Sequence, residues 1–345
     1  MIITSLENNL SLYKETLSLI EDSFGYNKPF KFDIDFYPLM EKTNWGQNYI
    51  ILNKKGGDVL GHIGVNLKFL KNKNLKTPIA LIGGISIHKN YRGKGLFKYL
   101  MNHIIETHKN DVSLFVLWSD LKDLYNKFDF YEAGSVLQTG SKNLSGKIKI
   151  DSTFTKTKLS LLLQGDINRL EEIYESFTYK NLTSLERNKD QWKVLKKISS
   201  SDLYLYKRKG KIFGYFFANK GLDLQNIIHE YAVLEKYQDH FFNLIRPYKL
   251  WIPEHFPNNY TEIKKTFLAF FRIGSKDHFI PFIEEWSQKE IKVKKISDKL
   301  VDFVFQKKEY SLHVENFLPF LFGPSHKGIF SPSSPPLYFS GLESI

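Results

Sequence analysis

The chain has 345 residues, 42% of them apolar, and no cysteine: it is long enough for two globular domains, and disulfides, thiolate metal sites and a covalent acyl-cysteine step are excluded. Its formal net charge is +12. The lysines are scattered, at Lys54-Lys55, Lys71 to Lys76, Lys196-Lys197 and Lys292 to Lys295, with no RNA-binding aromatic signature or zinc-finger spacing beside them. A lysine-rich composition with abundant Asn, Phe and Tyr therefore accounts for the charge better than a nucleic-acid partner does, and a small polyanionic ligand also suits it.

Met1 to Leu10 carries neither a basic start nor an apolar run, and no stretch approaches the roughly 18 consecutive apolar residues of a membrane span. A cytoplasmic protein with no membrane partner is expected. Leu17 to Tyr26 reads as a helix and Ile50 to Gly61 as a β-hairpin. Between them, the loop Tyr26 to Tyr37 offers Phe32, Asp33, Asp35 and Phe36, residues that suit a cationic, partly apolar amine and equally suit an ordinary fold.

The strand Ile85-Ser86-Ile87 then runs into Arg92-Gly93-Lys94-Gly95, after which Leu96, Tyr99, Leu100, His103 and Ile104 recur at helical spacing. Two glycines allow a tight turn that aims several main-chain N–H groups at one point at a helix N-terminus, which is an anion site. Arg92, Lys94 and Lys98 add positive charge around it. Neither the P-loop pattern nor a dinucleotide Gly-x-Gly-x-x-Gly is present. Val112 to Trp118 follows as a short buried strand, with Ser119-Asp120 as a helix cap and Leu121 to Phe130 as a short helix carrying Tyr125.

Taken together, these residues resemble the GNAT superfamily of acyl-CoA-dependent N-acetyltransferases. The family's loop reads Arg/Gln-x-x-Gly-x-Gly/Ala, and Arg92 to Leu96 fit it, while Phe97 stands where a small residue is usual. Leu124-Tyr125-Asn-Lys127 resembles the family's second signature, with Asp129 in place of its glycine. The resemblance implies an α/β fold around a mixed sheet, acetyl-CoA as co-substrate and no metal. It implies that Arg92, Gly93, Lys94, Gly95, Leu96, Phe97 and Lys98 bind the pyrophosphate. It assigns the backbone of Ile85, Ser86 and Ile87 to the thioester carbonyl, and Tyr125 to the departing thiolate as acid. The partner is then an amine acceptor, acetylated directly in a ternary complex.

The chain repeats itself. Leu17 to Tyr26 aligns with Leu170 to Tyr179, and Ile50 to Gly61 with Leu203 to Gly214, both at an offset of 153 residues. The second copy has a fourth-strand candidate, Ile227 to Leu234, but Glu235 to Leu244 follows it with no glycine pair, so a non-catalytic second GNAT-like domain is expected. Arg187 and Trp192, spaced R-x4-W, resemble a feature of such second domains. His229 and Glu230, adjacent on a strand, are expected to face opposite sides, one to the core and one to the surface.

The predicted domains are 1–145, catalytic, and 153–260, degenerate, with a boundary in the polar stretch Gly140 to Lys158. A C-terminal extension over 261–345 is expected to pack on the second domain, with helices at Thr261 to Phe271 and Phe279 to Trp286 and strands at Ile291 to Ile296 and Leu300 to Phe305. Pro319 to Pro336 reads as an irregular loop and Tyr338 to Ile345 as a tucked-in tail. The tandem arrangement resembles proteins of the enhanced-intracellular-survival type, and that resemblance makes the terminal carboxylate of Ile345 a candidate base or amine anchor. Glu343 and Asp120 are the alternatives, Asp120 reading better as a helix cap.

Overall fold

The computed structural model describes residues 1–144, 153–254, 262–297, 299–324 and 334–344. The first lobe runs β1 (Ile2–Ser5), α1 (Tyr13–Phe24), α2 (Phe32–Asp35), α3 (Tyr37–Met40), β2 (Asn48–Leu52), β3 (Val59–Lys71), β4 (Lys76–Ile87), α4 (Leu96–His108), β5 (Leu114–Leu117), α5 (Lys122–Tyr125) and β6 (Tyr131–Thr139). Strands β1 to β4 are antiparallel neighbours, and β5 returns parallel to β4 after α4.

Side chains alternate across this sheet with the period of two that a pleated strand imposes. Ile50, Leu52, Ile79, Leu81, Leu114 and Val116 join the core that holds Leu19 and Ile20 of α1. Ile51, Ala80, Ile82, Phe115 and Leu117 join the core on the opposite face, under α4. The buried stripe of α4 is Leu96, Leu100, Met101, Ile104 and Ile105, while Tyr99 and His103, expected on it, are exposed.

The second lobe comprises β7 (Phe154–Thr157), α6 (Gln164–Asn181), β8 (Ser184–Leu185), α7 (Lys189–Leu195), β9 (Asp202–Arg208), β10 (Lys211–Ala218), β11 (Ile228–Val233), α8 (Gln238–Ile245) and β12 (Leu250–Pro253). It repeats the first lobe's order of helix, hairpin, fourth strand, helix and parallel fifth strand. The register repeats as well: Gly61 pairs with Ile87 and Gly214 with Val233. The boundary stretch lies partly outside the described residues, as do 255–261.

Downstream come β13 (Glu262–Ile273), α9 (Lys276–Trp286), β14 (Ile291–Ile296), β15 (Leu300–Phe305), β16 (Lys308–His313) and α10 (Val314–Phe322). Strand β13 replaces the helix expected at Thr261 to Phe271. It inserts between β5 and β6 of the first lobe, giving one continuous sheet in the order β1-β2-β3-β4-β5-β13-β6-β12-β11-β10-β9-β7. Leu268, Ala269, Phe270 and Phe271 are consecutively buried, so this half of the strand is covered on both faces and shows no alternation from which sequence reasoning can work.

Helix α10 packs on β6, and α9 on both β14 and β4, so the extension leans largely on the first lobe and not, as expected, on the second. Strands β14 to β16 form a separate antiparallel sheet. Helix α10 runs through Pro319, where an irregular loop was expected; 325–333 lie outside the described residues. The tail is tucked in: Leu337, Tyr338, Phe339 and Leu342 are buried. Among the described residues no helix is long and apolar enough to cross a membrane.

Candidate active site

Strand β4 pairs with β5 only from Ile79 to Ile82. Beyond that point it continues alongside β3, with a register shift between Gly83 and Ser86, while no strand pairs with its other edge among the described residues. The two parallel strands therefore open into a wedge lined by Ile85, Ser86 and Ile87. Gly84 sits in the bulge with φ +60 and a ring beside it. That ring is His62, whose Nδ1 lies 2.7 Å from the Gly84 carbonyl oxygen and whose Nε2 lies 2.9 Å from Asn48 Oδ1. Full burial pulls the imidazole down to about 4, so it stays neutral at ordinary pH.

At the end of β4 the chain turns through Arg92 to Gly95 into α4. Gly93 and Gly95 have φ +74 and +80, and a Cβ at either position would meet nothing within 4 Å. The glycines are thus required by backbone conformation, not by crowding. Arg92 Nε donates to the Ile87 carbonyl at 3.1 Å, fixing the loop to the strand, and the Lys94 ammonium stands 4.8 Å from the centre of the Tyr91 ring. Among the described residues, the first amide of α4 to find a backbone acceptor is Tyr99, bonded to Gly95 at 3.0 Å. The preceding N–H groups, from Leu96 to Lys98, are the unpaired donors of a helix start. Arg92 to Gly95 and Lys98 are exposed, so the positive end of the helix dipole faces open space.

Tyr125 is the last residue of α5 and is buried. Its ring lies edge-on to Phe97 and Phe130, with Phe270 of β13 on a further side. Burial pushes its hydroxyl up to about 12, against a hydrogen bond with Ser119 that acts the other way. Asp129 adopts φ 59, the left-handed conformation that glycine favours and aspartate tolerates, which accounts for the departure from the family signature.

Ile85 and Ile87 of β4 and Phe97 of α4 pack against the same apolar core as Tyr125, and Phe97 meets the Tyr125 ring directly. Ile345 lies outside the described residues. Asp120 is exposed, and Glu343 is buried against Arg187 at 2.8 Å.

The acidic loop packs within the first lobe through Phe32 and Asp33 and meets the second through Asp35 and Phe36. Phe32 is a core residue, Asp33 accepts from the Tyr13 hydroxyl at 3.2 Å, and Phe36 lies under the Lys220 ammonium, 4.6 Å from its ring centre. Asp35 is buried close to Gly221; burial raises its carboxyl, opposed by Ser200, Tyr26 and Lys220. His229 and Glu230 do not alternate between core and surface: both are buried, with the tail against each, Gly341 beside the His229 ring and Ser340 bonded to Glu230.

Sequence reasoning missed His62 and Lys220. The only local sign of His62 is its register opposite a Gly-Gly step, and Lys220, between Asn219 and Gly221, reads as a surface turn.

Residues 13–130 match the model of the Acetyltransferase (GNAT) family. No curated protein matches the chain. Among solved structures, Eis1 from Mycobacterium abscessus is similar over 99% of both chains, at 11% identity and a TM-score of 0.59. A GCN5-related N-acetyltransferase from Anabaena variabilis is similar over 92% of this chain and 89% of its own, at 15% identity and a TM-score of 0.58. A conserved protein of unknown function from Enterococcus faecalis, described as a probable N-acyltransferase, covers 93% and 89% at 12% identity, also with a TM-score of 0.58. At such identities the likeness is one of fold, and it spans both lobes. The match to the acetyltransferase (GNAT) family model thus falls within the first lobe, and takes in its glycine loop at the start of α4 and its split β4–β5 pair.

Proposed function

We propose that the first lobe transfers an acetyl group from acetyl-CoA to a primary amine, directly, with acceptor and acetyl-CoA bound together. The observation that carries this reading is the exposed start of α4, where Gly93 and Gly95 leave a cluster of unpaired N–H donors beside Arg92, Lys94 and Lys98. Such donors fit a pyrophosphate, and residues 92–98 would hold it. Acetyl-CoA supplies an activated thioester.

On the unpaired edge of β4, the main chain of Ile85 to Ile87 would donate to the thioester carbonyl oxygen as negative charge develops there. Tyr125 keeps its proton up to about 12, whereas a thiolate leaves with a pKa near ~8.5. Full proton transfer from Tyr125 is uphill, so its role is to donate a hydrogen bond to the departing sulfur. The acceptor amine must lose a proton as well. With a pKa of ~10.4 it is neutral roughly once in a thousand at pH 7, a cost of about 4–5 kcal/mol. A desolvating cleft and a base offset that cost. By resemblance the carboxylate of Ile345 is a candidate for that base or for anchoring the amine, with Glu343 and Asp120 as the alternatives.

Calorimetry with acetyl-CoA and free CoA, followed by thiol release on a panel of amines, tests this reading. Binding with amine-dependent release supports it. Binding without release on any amine would make the lobe a CoA-binding module, and no binding would remove the nucleotide reading altogether.

A further inference from the structure

In the second lobe the place that corresponds to the wedge is filled by the chain's own end. Matched by strand pairing from Ile87 and Val233, Glu230, opposite Phe217, stands on β11 where Gly83, opposite Gly64, stands on β4. Strands β11 and β12 pair only at Ile228 and Leu250, so they too diverge. Across that opening lies Tyr338, whose hydroxyl donates to the His229 carbonyl at 2.7 Å and reaches the Trp251 carbonyl of β12 at 3.4 Å.

The tail that follows is held by charge. Arg187, fully buried between the Tyr174 and Trp192 rings, donates to both carboxylate oxygens of Glu230 at 2.6 Å and to Glu343 at 2.8 Å. Ser340 Oγ donates to Glu230 at 2.5 Å and accepts from Arg187 and from the Leu342 amide. Tyr215 donates to Glu230 from the other side. Burial alone would push the Glu230 carboxyl up; the guanidinium outweighs it and holds the group below its usual range. A few residues away, the buried Lys220 ammonium donates to the carbonyls of Gly341, Leu342 and Ser344 at 2.9, 3.3 and 2.7 Å.

The same tail and its anchor Lys220 also meet the first lobe. Phe339 stacks edge-on with Trp118, just past the end of β5, at 5.7 Å. Lys220 lies over Phe36 of the acidic loop, and the charge of Glu343 acts on Lys68 of β3.

We propose that the second lobe has turned its own cleft into a socket for the C-terminal tail, with Arg187, Glu230 and Lys220 as positioning residues that set the acceptor wall of the first lobe's site. An ion cluster this deep is poor value as mere stabilisation, since buried pairs seldom outperform apolar packing. What it provides is one fixed placement for a segment with no strand pairing along Tyr338 to Ser344. The proposal rests on the transferase reading for its effect on turnover, and not for the socket itself.

The test uses the full chain with Glu343→Lys, which sets a cation against Arg187, and Glu343→Gln, which keeps shape and hydrogen bonding. Three quantities are read: amide exchange of the 334–345 segment by mass spectrometry, acetyl-CoA affinity by calorimetry, and kcat and KM for the best amine. Glu343→Lys is expected to speed tail exchange by at least about tenfold and to lower kcat/KM for the amine by a similar factor, with acetyl-CoA affinity unchanged, because the opening is local. Glu343→Gln restores most of both. Unchanged tail exchange in Glu343→Lys overturns the socket. A freed tail with unaltered amine kinetics, or a parallel loss of acetyl-CoA affinity, overturns the positioning role. Should the unaltered protein turn over no amine at all, the transferase reading falls, and tail exchange alone still decides the socket.

Discussion

Phe97 and Tyr125 meet edge to face, with ring centroids 5.8 Å apart and planes at 89°. Phe97 also meets Phe128 at 5.2 Å. The large residue at a position usually small in this family thus turns toward α5 and away from the donors at the start of α4. It couples the anion loop to the tyrosine through one contact. Tyr125→Phe keeps that contact and removes only the hydroxyl. The expected outcome is a fall in kcat on the order of a hundredfold, with acetyl-CoA affinity within about twofold in calorimetry. Because burial pushes the hydroxyl up to about 12, it stays protonated throughout neutral and moderately alkaline pH. Any alkaline limb in the kcat profile below about pH 10 therefore belongs to another group and should persist in the variant.

Gly95→Ala introduces no clash but forces a side chain into φ +80, at about 1–2 kcal/mol. If the start of α4 grips the pyrophosphate, part of that cost appears as weaker acetyl-CoA binding, by roughly three- to thirtyfold. Gly210→Ala, at φ +77 in the second lobe with equally open surroundings, carries the same backbone cost and should leave affinity untouched. Equal affinities in the two variants would contradict the binding role of the loop.

Lys220 gives a stability signature of definite sign. Burial pulls its ammonium down to about 7, with Asp35, Asp223 and Glu343 acting the other way. The unfolded chain keeps this proton to about 10.4. From pH 7 to 10 the unfolded state therefore binds more protons than the folded one, and the contribution of Lys220 to stability grows with pH. Below pH 7 both states are protonated and the slope vanishes. Urea melts should show the stability of the protein, relative to Lys220→Met, rising by about 2 kcal/mol between pH 7 and 9. A constant difference would mean that the ammonium is not desolvated.

Deleting Leu342 to Ile345 removes the Glu343 ion pair and two of the three carbonyls that Lys220 binds. The expected result is retained acetyl-CoA binding and a loss of amine turnover of at least about tenfold. Full turnover by a normally folded truncated protein would exclude the terminus from the mechanism.

The readable parts of this chain were the local ones. The glycine turn, the buried run of β5 and the helix after it declare themselves within a few residues, since backbone freedom and periodicity are short-range properties. The repeat was legible because helix and hairpin keep one offset. The long-range parts were not. Arg187 meets Glu343 across 156 residues, and nothing near either residue signals the other. Strand β13 owes its conformation to two strands made more than a hundred residues earlier, and Lys220 is buried by a tail that sequence reasoning could describe only as apolar.

Strand β13 also constrains how the molecule comes into being. Until Ile273 has been synthesised, β5 and β6 cannot be joined, and Tyr125 lacks the Phe270 ring that helps enclose it. A nascent chain ending near residue 144 would expose two raw strand edges, a hazard that folding chains must limit. The sheet of the first lobe is closed by a strand that the chain supplies only after the second lobe.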